Sequence, residues 1–286
     1  MTSAAAQCII RRKSTRRWGG EMLRLFMSAD VAGSTSFKAQ ADLGGMAEPA
    51  WLSVFRSFFT NFPIMLMGQT AAEMADEDSL PEIGVWKALG DELILTCPLH
   101  SAEEATHLVR ALYLSMANYE KQYLGELPLR LKATAWVAQF PAPNIEIEIP
   151  ELSGDGQILD FIGPSIDLGF RISKFSRPST VALSLDLVEL LLSSRKTDQL
   201  SFSILGREGL KGVHFGRPYP VIWGRPEEVP YNFMPWEVED CPLTRKALTE
   251  PPANRKEIRK LIDDTRLYLA KMHGVPARPV LAALKD

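Results

Sequence analysis

The apolar positions along the chain fall into two patterns, short continuous runs and longer stretches with helical spacing. The short runs are typical of strands buried in a sheet. We predict strands over residues 23–29, 83–88, 92–97, 129–140 and 180–183, with a closing pair between 202 and 223. Two of these runs meet at Leu89-Gly90-Asp91, which predicts a hairpin with Asp91 at its tip.

Stretches with helical spacing alternate with these strands. Aromatic residues recur at that spacing between residues 51 and 62, and they are expected in the core. Ser101 and Glu104 form a capping-box pattern that opens a long amphipathic helix. The predicted helices cover about 46–62, about 101–124, a short segment from 164, a segment ending near 192, and 254–273.

The remaining stretches predict the organisation of the chain. Residues 141–157 contain proline, glutamate and glycine and are predicted to form a loop, and the proline-rich stretch before residue 254 is predicted to be a wrapping linker. The mixed order of helices and strand hairpins predicts an α+β fold with helices packed on a largely antiparallel sheet. We expect a basic arm over 1–20, a main domain over 21–224, and an extension over 225–286 that ends in a helix.

Composition narrows the class of protein. A chain of 286 residues with 46% hydrophobic content can bury a substantial core. The net charge is −3, yet residues 1–20 carry five basic side chains and no acid, which predicts a solvated tail or, alternatively, a phosphate-binding arm. The cysteines and histidines lack zinc-site or disulfide spacing. Because no stretch is typical of an export signal or a membrane span, we predict a cytoplasmic protein that binds neither membrane nor nucleic acid.

Two carboxylates end two different predicted strands. Asp30 follows the first apolar run, and Asp91 lies at the hairpin tip. Adjacent strands can bring both to one edge of a sheet, where the two charges repel unless a cation lies between them. Oxygen ligands of this kind suit Mg²⁺ or Mn²⁺. The small-residue loop Gly33-Ser34-Thr35-Ser36 is expected to open a helix, whose backbone N–H groups can bind phosphates beside the metal.

A later segment places two opposite charges one helical turn apart. Asp167 and Arg171 lie at i and i+4 in the short helix predicted after Gly163, so they share one face. An intrahelical ion pair is the structural interpretation of this spacing, and a shared functional site is the alternative.

Four segments, in order along the chain, resemble the motifs of the class III nucleotidyl cyclases, the adenylate and guanylate cyclase superfamily. The first metal motif of that family is similar to Asp30-Val-Ala-Gly-Ser-Thr, and its hairpin motif is similar to Lys87-Ala-Leu-Gly-Asp91. The segment from Asp160 to Arg171 has the family's spacing of Asp, then Asn seven residues later, then Arg four after that. Leu210-Lys211-Gly212 matches the late strand with a phosphate-binding lysine. The resemblance covers residues 24–223 and implies the family's catalytic-domain fold.

The resemblance also implies roles for individual residues. In this family the active site forms between two protomers of a dimer. On one protomer, Asp30, the carbonyl of Val31 and Asp91 would hold two metal ions, and the Gly33 to Ser36 loop with Lys132 would hold the triphosphate. The partner would supply the residues that contact the base, the ribose and the phosphates: Lys87, Asp160, Asp167, Arg171 and Lys211.

Two positions depart from the family pattern. Asp167 stands where the family usually has Asn, which puts a negative charge near the ribose or phosphate region. Lys132 stands where the family often has Arg; it keeps the charge but cannot form the bidentate contact of a guanidinium.

The residues themselves do not decide which base the substrate carries. Lys87 and Asp160 match the adenine-reading pair of adenylate cyclases, but one donor and one acceptor also suit cytosine and uracil. Ala135-Trp136-Val137 stands where the family commonly has Ile-His, and a proline-rich extension follows the main domain. With these features the chain looks like the pyrimidine cyclases of bacterial Pycsar antiphage systems, which implies UTP as the favoured substrate and a cyclic nucleotide that acts on a separate effector protein. The alternatives are an adenylate cyclase, a cytidylate cyclase, and a cyclase-like module that only binds nucleotide or dimerises.

Overall fold

A computed structural model describes residues 21–41, 49–150, 157–275 and 284. The predicted basic arm over 1–20 lies outside this range. The strands are β1 (Met22–Ala32), β2 (Gly84–Leu89), β3 (Glu92–Leu99), β4 (Arg130–Phe140), β5 (Ile145–Pro150), β6 (Gln157–Ile162), β7 (Val181–Leu183), β8 (Leu200–Glu208) and β9 (Tyr219–Pro226). The helices are α1 (Ser34–Ala41), α2 (Ala50–Glu73), α3 (Ala102–Tyr119), α4 (Pro164–Ile172), α5 (Leu185–Ser193), α6 (Pro235–Asp240), α7 (Pro242–Thr249) and α8 (Arg255–His273).

Seven of the strands form one sheet in the order β2-β3-β1-β4-β7-β9-β8. Every neighbouring pair is antiparallel except β4 and β7, which run parallel. The predicted α+β fold with helices on a largely antiparallel sheet is therefore confirmed. Within the described residues, no helix has both the length and the apolar character needed to cross a membrane.

The two faces of the central strands are covered differently. Successive side chains of a strand point to opposite faces, so β1 divides into two sets. One set, including Leu25 and Met27, packs into a large core with α2, α3 and α5. The other set includes Phe26, which belongs to a smaller and separate aromatic cluster with Trp136 and Phe161. We call the side of the sheet that carries this second set the open face.

The aromatic residues expected in the core of α2 are buried, with Phe55, Phe58 and Phe62 in the large core and Trp51 packed against it. The predicted end of this helix at residue 62 is wrong, because α2 continues to Glu73 with Pro63 inside it. A proline lacks the backbone N–H of an interior helix position, which explains why the sequence pattern breaks there. The burial of Phe62 and Leu66 on both sides of the proline holds the helix against the core.

The loop predicted over residues 141–157 is wrong for 145–150, which form β5, and for 157, where β6 begins, while residues 151–156 lie outside the described residues. Strands β5 and β6 pair antiparallel there, with Ile147 opposite Asp160. The alternation Ile-Glu-Ile-Glu-Ile over residues 145–149 is a period-2 strand signal that the prolines and glycines around it obscure. This pair forms a separate two-stranded sheet. Asp160 therefore lies on a strand, β6, of this small sheet.

The proline-rich linker also contains regular structure, because α6 and α7 each begin with a proline at the first helical turn. A proline is tolerated at that position since its missing N–H would have no helical partner. The last helix, α8, is confirmed, and the Asn254 side chain accepts hydrogen bonds from the N–H groups of Lys256 and Glu257. It packs on the main domain, where Arg266 contacts Asp186 at 3.3 Å and also pairs with Glu189.

Candidate active site

One end of the open face is polar. The register between strands places Asp30 on β1 directly between Glu92 on β3 and Lys132 on β4. The ammonium of Lys132 lies 2.9 Å from Oδ2 of Asp30, and both side chains are about 28% exposed. The predicted metal ligand, Asp30, and the predicted phosphate-binding residue, Lys132, are therefore in contact as an ion pair.

The hairpin between β2 and β3 brings Asp91 to the same end of the sheet. The backbone N–H of Val31 donates to the carbonyl of Asp91 at 3.3 Å, which ties the hairpin tip to β1. The hydroxyl of Ser34 donates to Oδ2 of Asp91. The predicted metal-binding end of the sheet therefore brings together residues from three different elements: Asp30, Val31, Ser34 and Asp91.

Gly33 links β1 to α1 in a backbone conformation that requires glycine. Its φ is +87°, and a Cβ atom there would lie 2.7 Å from the carbonyl oxygen of Pro128. The N–H of Phe37 donates to the carbonyl of Gly33, so the predicted helix does begin at this turn. Ser34 is buried, whereas Thr35 and Ser36 are exposed on the first turn of α1. The N–H groups of a first turn have no helical partner, which leaves them available to an anion.

Glu92 is a third carboxylate at this end of the open face, and the sequence analysis did not select it. It accepts a hydrogen bond from the hydroxyl of Ser28 through Oε1. Burial raises the pKa of Glu92, the Ser28 hydrogen bond opposes that rise, and the nearby charge of Asp30 adds to it. The signal that could have found it is its position beside Asp91 at the start of an otherwise apolar strand.

The donor set at this end suits hard divalent cations, because Asp30, Asp91 and backbone carbonyls offer only oxygen atoms. Across the described ranges, no three histidine, cysteine, aspartate or glutamate side chains are grouped closely enough to hold an ion by themselves. Two carboxylates with backbone oxygen are therefore the ligands that the protein could provide here.

The other end of the open face is aromatic. The rings of Phe26 and Trp136 stack at 5.4 Å with an interplanar angle of 10°. Trp86 from β2 and Phe161 from β6 each meet Phe26 edge-on at 5.2 Å. Helix α4 covers this cluster, and Phe170 packs against Trp136 at 5.8 Å.

Lys87 and Asp160 lie at the margin of this aromatic cluster and contact each other. The ammonium of Lys87 is 2.8 Å from Oδ1 and 3.0 Å from Oδ2 of Asp160. Burial opposes ionisation of Asp160, but hydrogen bonds from Lys87, the Phe161 N–H and Trp86 outweigh it and hold the pKa of the carboxyl below its usual value. The two residues predicted to read a base are thus brought together as an ionised pair.

The chain turns sharply between β6 and α4. Gly163 has a φ of +145°, and a Cβ atom there would lie 2.5 Å from Oδ1 of Asn144. Asn144 in turn accepts from the N–H of Ser165 at 3.0 Å, in the first turn of α4. Gly169 lets the helix lie directly on Trp136, since a Cβ atom would be 2.2 Å from the indole ring. These close approaches fix the orientation of α4.

Asp167 is exposed and Arg171 is half-buried on α4. The hydrogen bonds and ion pairs found in the described part of the chain do not join the two side chains, so the intrahelical ion pair that their spacing suggested is not formed. The prediction that Lys211 lies on a late strand is wrong. It is exposed in a turn after β8, because that strand ends at Glu208 and the chain then enters a turn that includes Gly212 with a φ of +75°.

No protein-family model matches the sequence, and no curated protein matches it. Solved structures do match. The adenylyl cyclase CyaB from P. aeruginosa is 13% identical, with a TM-score of 0.52 over 74% of this chain and 98% of that one. The catalytic core of a rhodopsin-guanylyl cyclase with converted specificity, solved in complex with ATPalphaS, is 10% identical, with a TM-score of 0.51 over 72% of this chain and 97% of that one. The chain has the fold of nucleotidyl cyclase catalytic domains.

A cavity of about 510 Å³ is also present in this cyclase fold. Its walls come from α3, the start of β4 and the segment from Val229 to Met234, and they include Glu120 and Arg130. The lining contains none of the residues predicted for the site. The candidate site of the cyclase fold is instead an open surface at the two ends of the open face.

Sequence reasoning missed one further residue of the cyclase fold's candidate site. The indole N–H of Trp86 donates to Oδ1 of Asp160 at 3.2 Å. Its position directly before Lys87 was visible, but alternation along a strand would place neighbouring residues on opposite faces. The register between β2 and β3 shifts between Val85 and Lys87, and this bulge brings both side chains to Asp160.

Proposed function

We propose that the protein is a nucleotidyl cyclase that converts a nucleoside triphosphate into a 3′,5′-cyclic nucleoside monophosphate and pyrophosphate. One observation carries the proposal. On the open face of a cyclase fold, a paired-carboxylate end with Asp30 and Asp91 lies beside a base-reading end with Lys87 and Asp160. The first has the chemistry needed for the triphosphate, and the second has the chemistry needed for the base.

The carboxylates of Asp30 and Asp91, with the carbonyl of Val31, would hold two divalent cations, Mn²⁺ or Mg²⁺. Such cations supply charge neutralisation on the triphosphate and lower the pKa of the ribose 3′-hydroxyl. Lys132 contacts Asp30 at 2.9 Å, and its ammonium would turn to the triphosphate when a cation binds the carboxylate. The free N–H groups from Gly33 to Ser36 would bind the phosphates from the other side.

The partner protomer would complete the site. Its Lys87 and Asp160 would orient the base, and its Asp167 and Lys211 would lie near the ribose and phosphates. The 3′-oxygen forms a bond to the α-phosphorus, the bond from that phosphorus to the bridging oxygen of the β-phosphate breaks, and the hydroxyl proton leaves to solvent water. Arg171 would stabilise the charge that builds on the α-phosphate, as arginine fingers do in other phosphoryl transfers.

We propose UTP as the favoured substrate. The support is the sequence resemblance to the pyrimidine cyclases of Pycsar systems, together with a donor and an acceptor that suit the edge of uracil: Lys87 donates to a carbonyl oxygen and Asp160 accepts from N3–H. The product would then be a cytoplasmic second messenger that acts on a separate effector protein in antiphage defence.

The experiment is to incubate the purified protein with Mn²⁺ and each of the four nucleoside triphosphates separately, and to identify the products by mass. The proposal predicts cyclic UMP as the main product. Cyclic AMP alone would overturn the pyrimidine preference and favour an adenylate cyclase. No product from any triphosphate would overturn the cyclase proposal and favour a module that only binds nucleotide.

A further inference from the structure

We infer that Trp86 is a positioning residue that fixes the Asp160 carboxylate, so that a single oxygen, Oδ2, reads the base. The inference deepens the proposed function and rests on it for the substrate.

The two oxygens of Asp160 are in unequal surroundings. Oδ1 accepts hydrogen bonds from the Trp86 indole N–H at 3.2 Å and the Phe161 backbone N–H at 2.8 Å, and the Lys87 ammonium lies 2.8 Å away as an ion-pair contact. Among the described residues, Oδ2 accepts one hydrogen bond, from Lys87 at 3.0 Å. A carboxylate oxygen has about two lone-pair sites, so Oδ1 is saturated and Oδ2 keeps acceptor capacity. The oxygen that remains able to accept an N–H from a base is therefore Oδ2.

Trp86 contacts both members of the pair. Its indole N–H bonds Asp160, and the ammonium of Lys87 lies 4.6 Å from the centre of its ring. A cation over an indole face is attracted by the ring electrons. The indole of Trp86 thus contacts the acceptor, Asp160, through its edge and the donor, Lys87, through its face.

The Trp86 ring is itself fixed by packing. It meets Phe26 at 5.2 Å and Phe161 at 5.3 Å, both edge-on, and Phe170 at 6.0 Å. The bulge after Val85 makes this placement possible, because it turns Trp86 onto the same face as Lys87. Because packing fixes the ring on several sides, the indole N–H can point in only one direction, towards Asp160.

The consequence is selective. Adenine, cytosine and uracil each present an acceptor next to an N–H, but the three edges lie differently relative to the ribose. A donor from Lys87 and an acceptor at Oδ2 that are both fixed in direction therefore fit one of these edges best. A site built to hydrogen-bond such an edge rejects bases that leave its polar groups unpaired. Without the indole N–H, the carboxylate can rotate and offer either oxygen, so discrimination between bases falls.

The test compares Trp86→Phe with a matched control, Trp136→Phe. Trp136 lies in the same aromatic cluster, but its buried indole nitrogen has no hydrogen-bond partner within the described structure. Both substitutions remove an indole N–H and keep an aromatic ring, and only the first removes a bond to Asp160. The charged groups around Asp160 are unchanged in both: Lys87, Arg24 over the Phe161 ring at 5.1 Å, and Glu146 and Glu148 on β5.

Two readouts are measured on the full chain, the pKa of the Asp160 carboxyl by carbon NMR and kcat/KM for each of the four triphosphates. In Trp86→Phe we expect the pKa to rise and the preference for the best substrate over the second to fall about tenfold, mainly through KM, as for loss of a hydrogen bond to a charged group. In Trp136→Phe we expect neither change. An unchanged pKa and preference in folded Trp86→Phe, or equal changes in the control, would overturn the inference.

The outcomes separate this inference from the proposed function. If the wild-type protein forms no product from any triphosphate, the cyclase proposal fails, and the pKa comparison still decides whether Trp86 positions Asp160. If Trp86→Phe does not fold, Trp86→His keeps a ring N–H donor and is compared with Trp86→Leu at the same position. The inference predicts that only the histidine variant retains the low pKa of Asp160, and equal values in the two variants would overturn it.

Discussion

The open face carries two lysine–aspartate pairs, and they are built differently. Lys87 touches both oxygens of Asp160, which also receives N–H groups from Trp86 and Phe161. Lys132 touches Asp30 at 2.9 Å, next to the further carboxylates of Asp91 and Glu92. The same two residue types therefore form a donor–acceptor pair with supporting N–H groups at one end and a single ammonium beside several carboxylates at the other.

The difference teaches how one sheet can serve two parts of a nucleotide. At the Lys87 end, the ammonium of Lys87 balances the carboxylate of Asp160. The N–H groups of Trp86 and Phe161 hold that carboxylate in one orientation, which suits hydrogen bonding to a base. At the Asp30 end negative charge exceeds the single ammonium of Lys132, so cations are attracted there. The aromatic cluster lies beside the first pair.

The largest expected effect distinguishes the carboxylates of the two ends. We predict that Asp91→Asn lowers kcat on the order of 10³, because the neutral amide keeps the size of the side chain but loses the charge that would hold a cation. Asp160→Asn is the matched change at the other end, and we expect it to act mainly on KM and on base preference. Steady-state kinetics with each variant measure both. Equal losses of kcat in the two variants would contradict the division of roles.

A second prediction concerns the close packing under α4. Gly169→Ala places a methyl group 2.2 Å from the buried Trp136 ring, so we expect a net loss of about 2 kcal/mol in the free energy of unfolding. Gly68→Ala is the control. Gly68 lies inside α2 with nothing within 4 Å of the added atom, and we expect a gain of about 0.5 to 1 kcal/mol from helix propensity. Urea unfolding of both variants measures the difference. Equal effects would show that α4 does not rest on Trp136 as described.

The smallest expected effect tests whether Lys132 is displaceable. A divalent cation at Asp30 must displace an ion pair worth about 1 kcal/mol, so Lys132→Ala should tighten Mn²⁺ binding about fivefold. Lys87→Ala should leave Mn²⁺ affinity unchanged. Electron paramagnetic resonance of free Mn²⁺ gives both affinities without any need for catalysis. Weaker Mn²⁺ binding in Lys132→Ala would mean that the lysine supports the cation instead of competing with it.

Much of this site followed from the sequence because it depends on local signals. A carboxylate at the end of an apolar run and another at a hairpin tip were enough to predict that Asp30 and Asp91 meet. The contact between Asp30 and Lys132 could not be predicted, because it depends on the register of two strands about a hundred residues apart. Glu92 does have a sequence signal, its position beside Asp91, but its place opposite Asp30 also depends on strand register.

The aromatic end was harder to predict for two reasons. The strand that carries Asp160 lies in a segment whose prolines, glutamates and glycines are typical of a loop, so its alternation was overlooked. Trp86 is brought onto the face of Lys87 by a one-residue bulge, and a strict period of two excludes that placement. In both cases a local irregularity, and not the hydrophobic pattern, positions a side chain of the candidate site.

The most direct test of the account is whether two inactive variants restore one another. Asp30→Ala removes a residue of the first protomer's share of the site, and Arg171→Ala removes a residue of the partner's share. Each variant alone should form no cyclic nucleotide, and an equimolar mixture should recover about a quarter of the wild-type activity, because random pairing makes half of the dimers mixed and each mixed dimer keeps one intact site of two. A mixture that forms dimers and stays inactive would contradict a site shared between protomers.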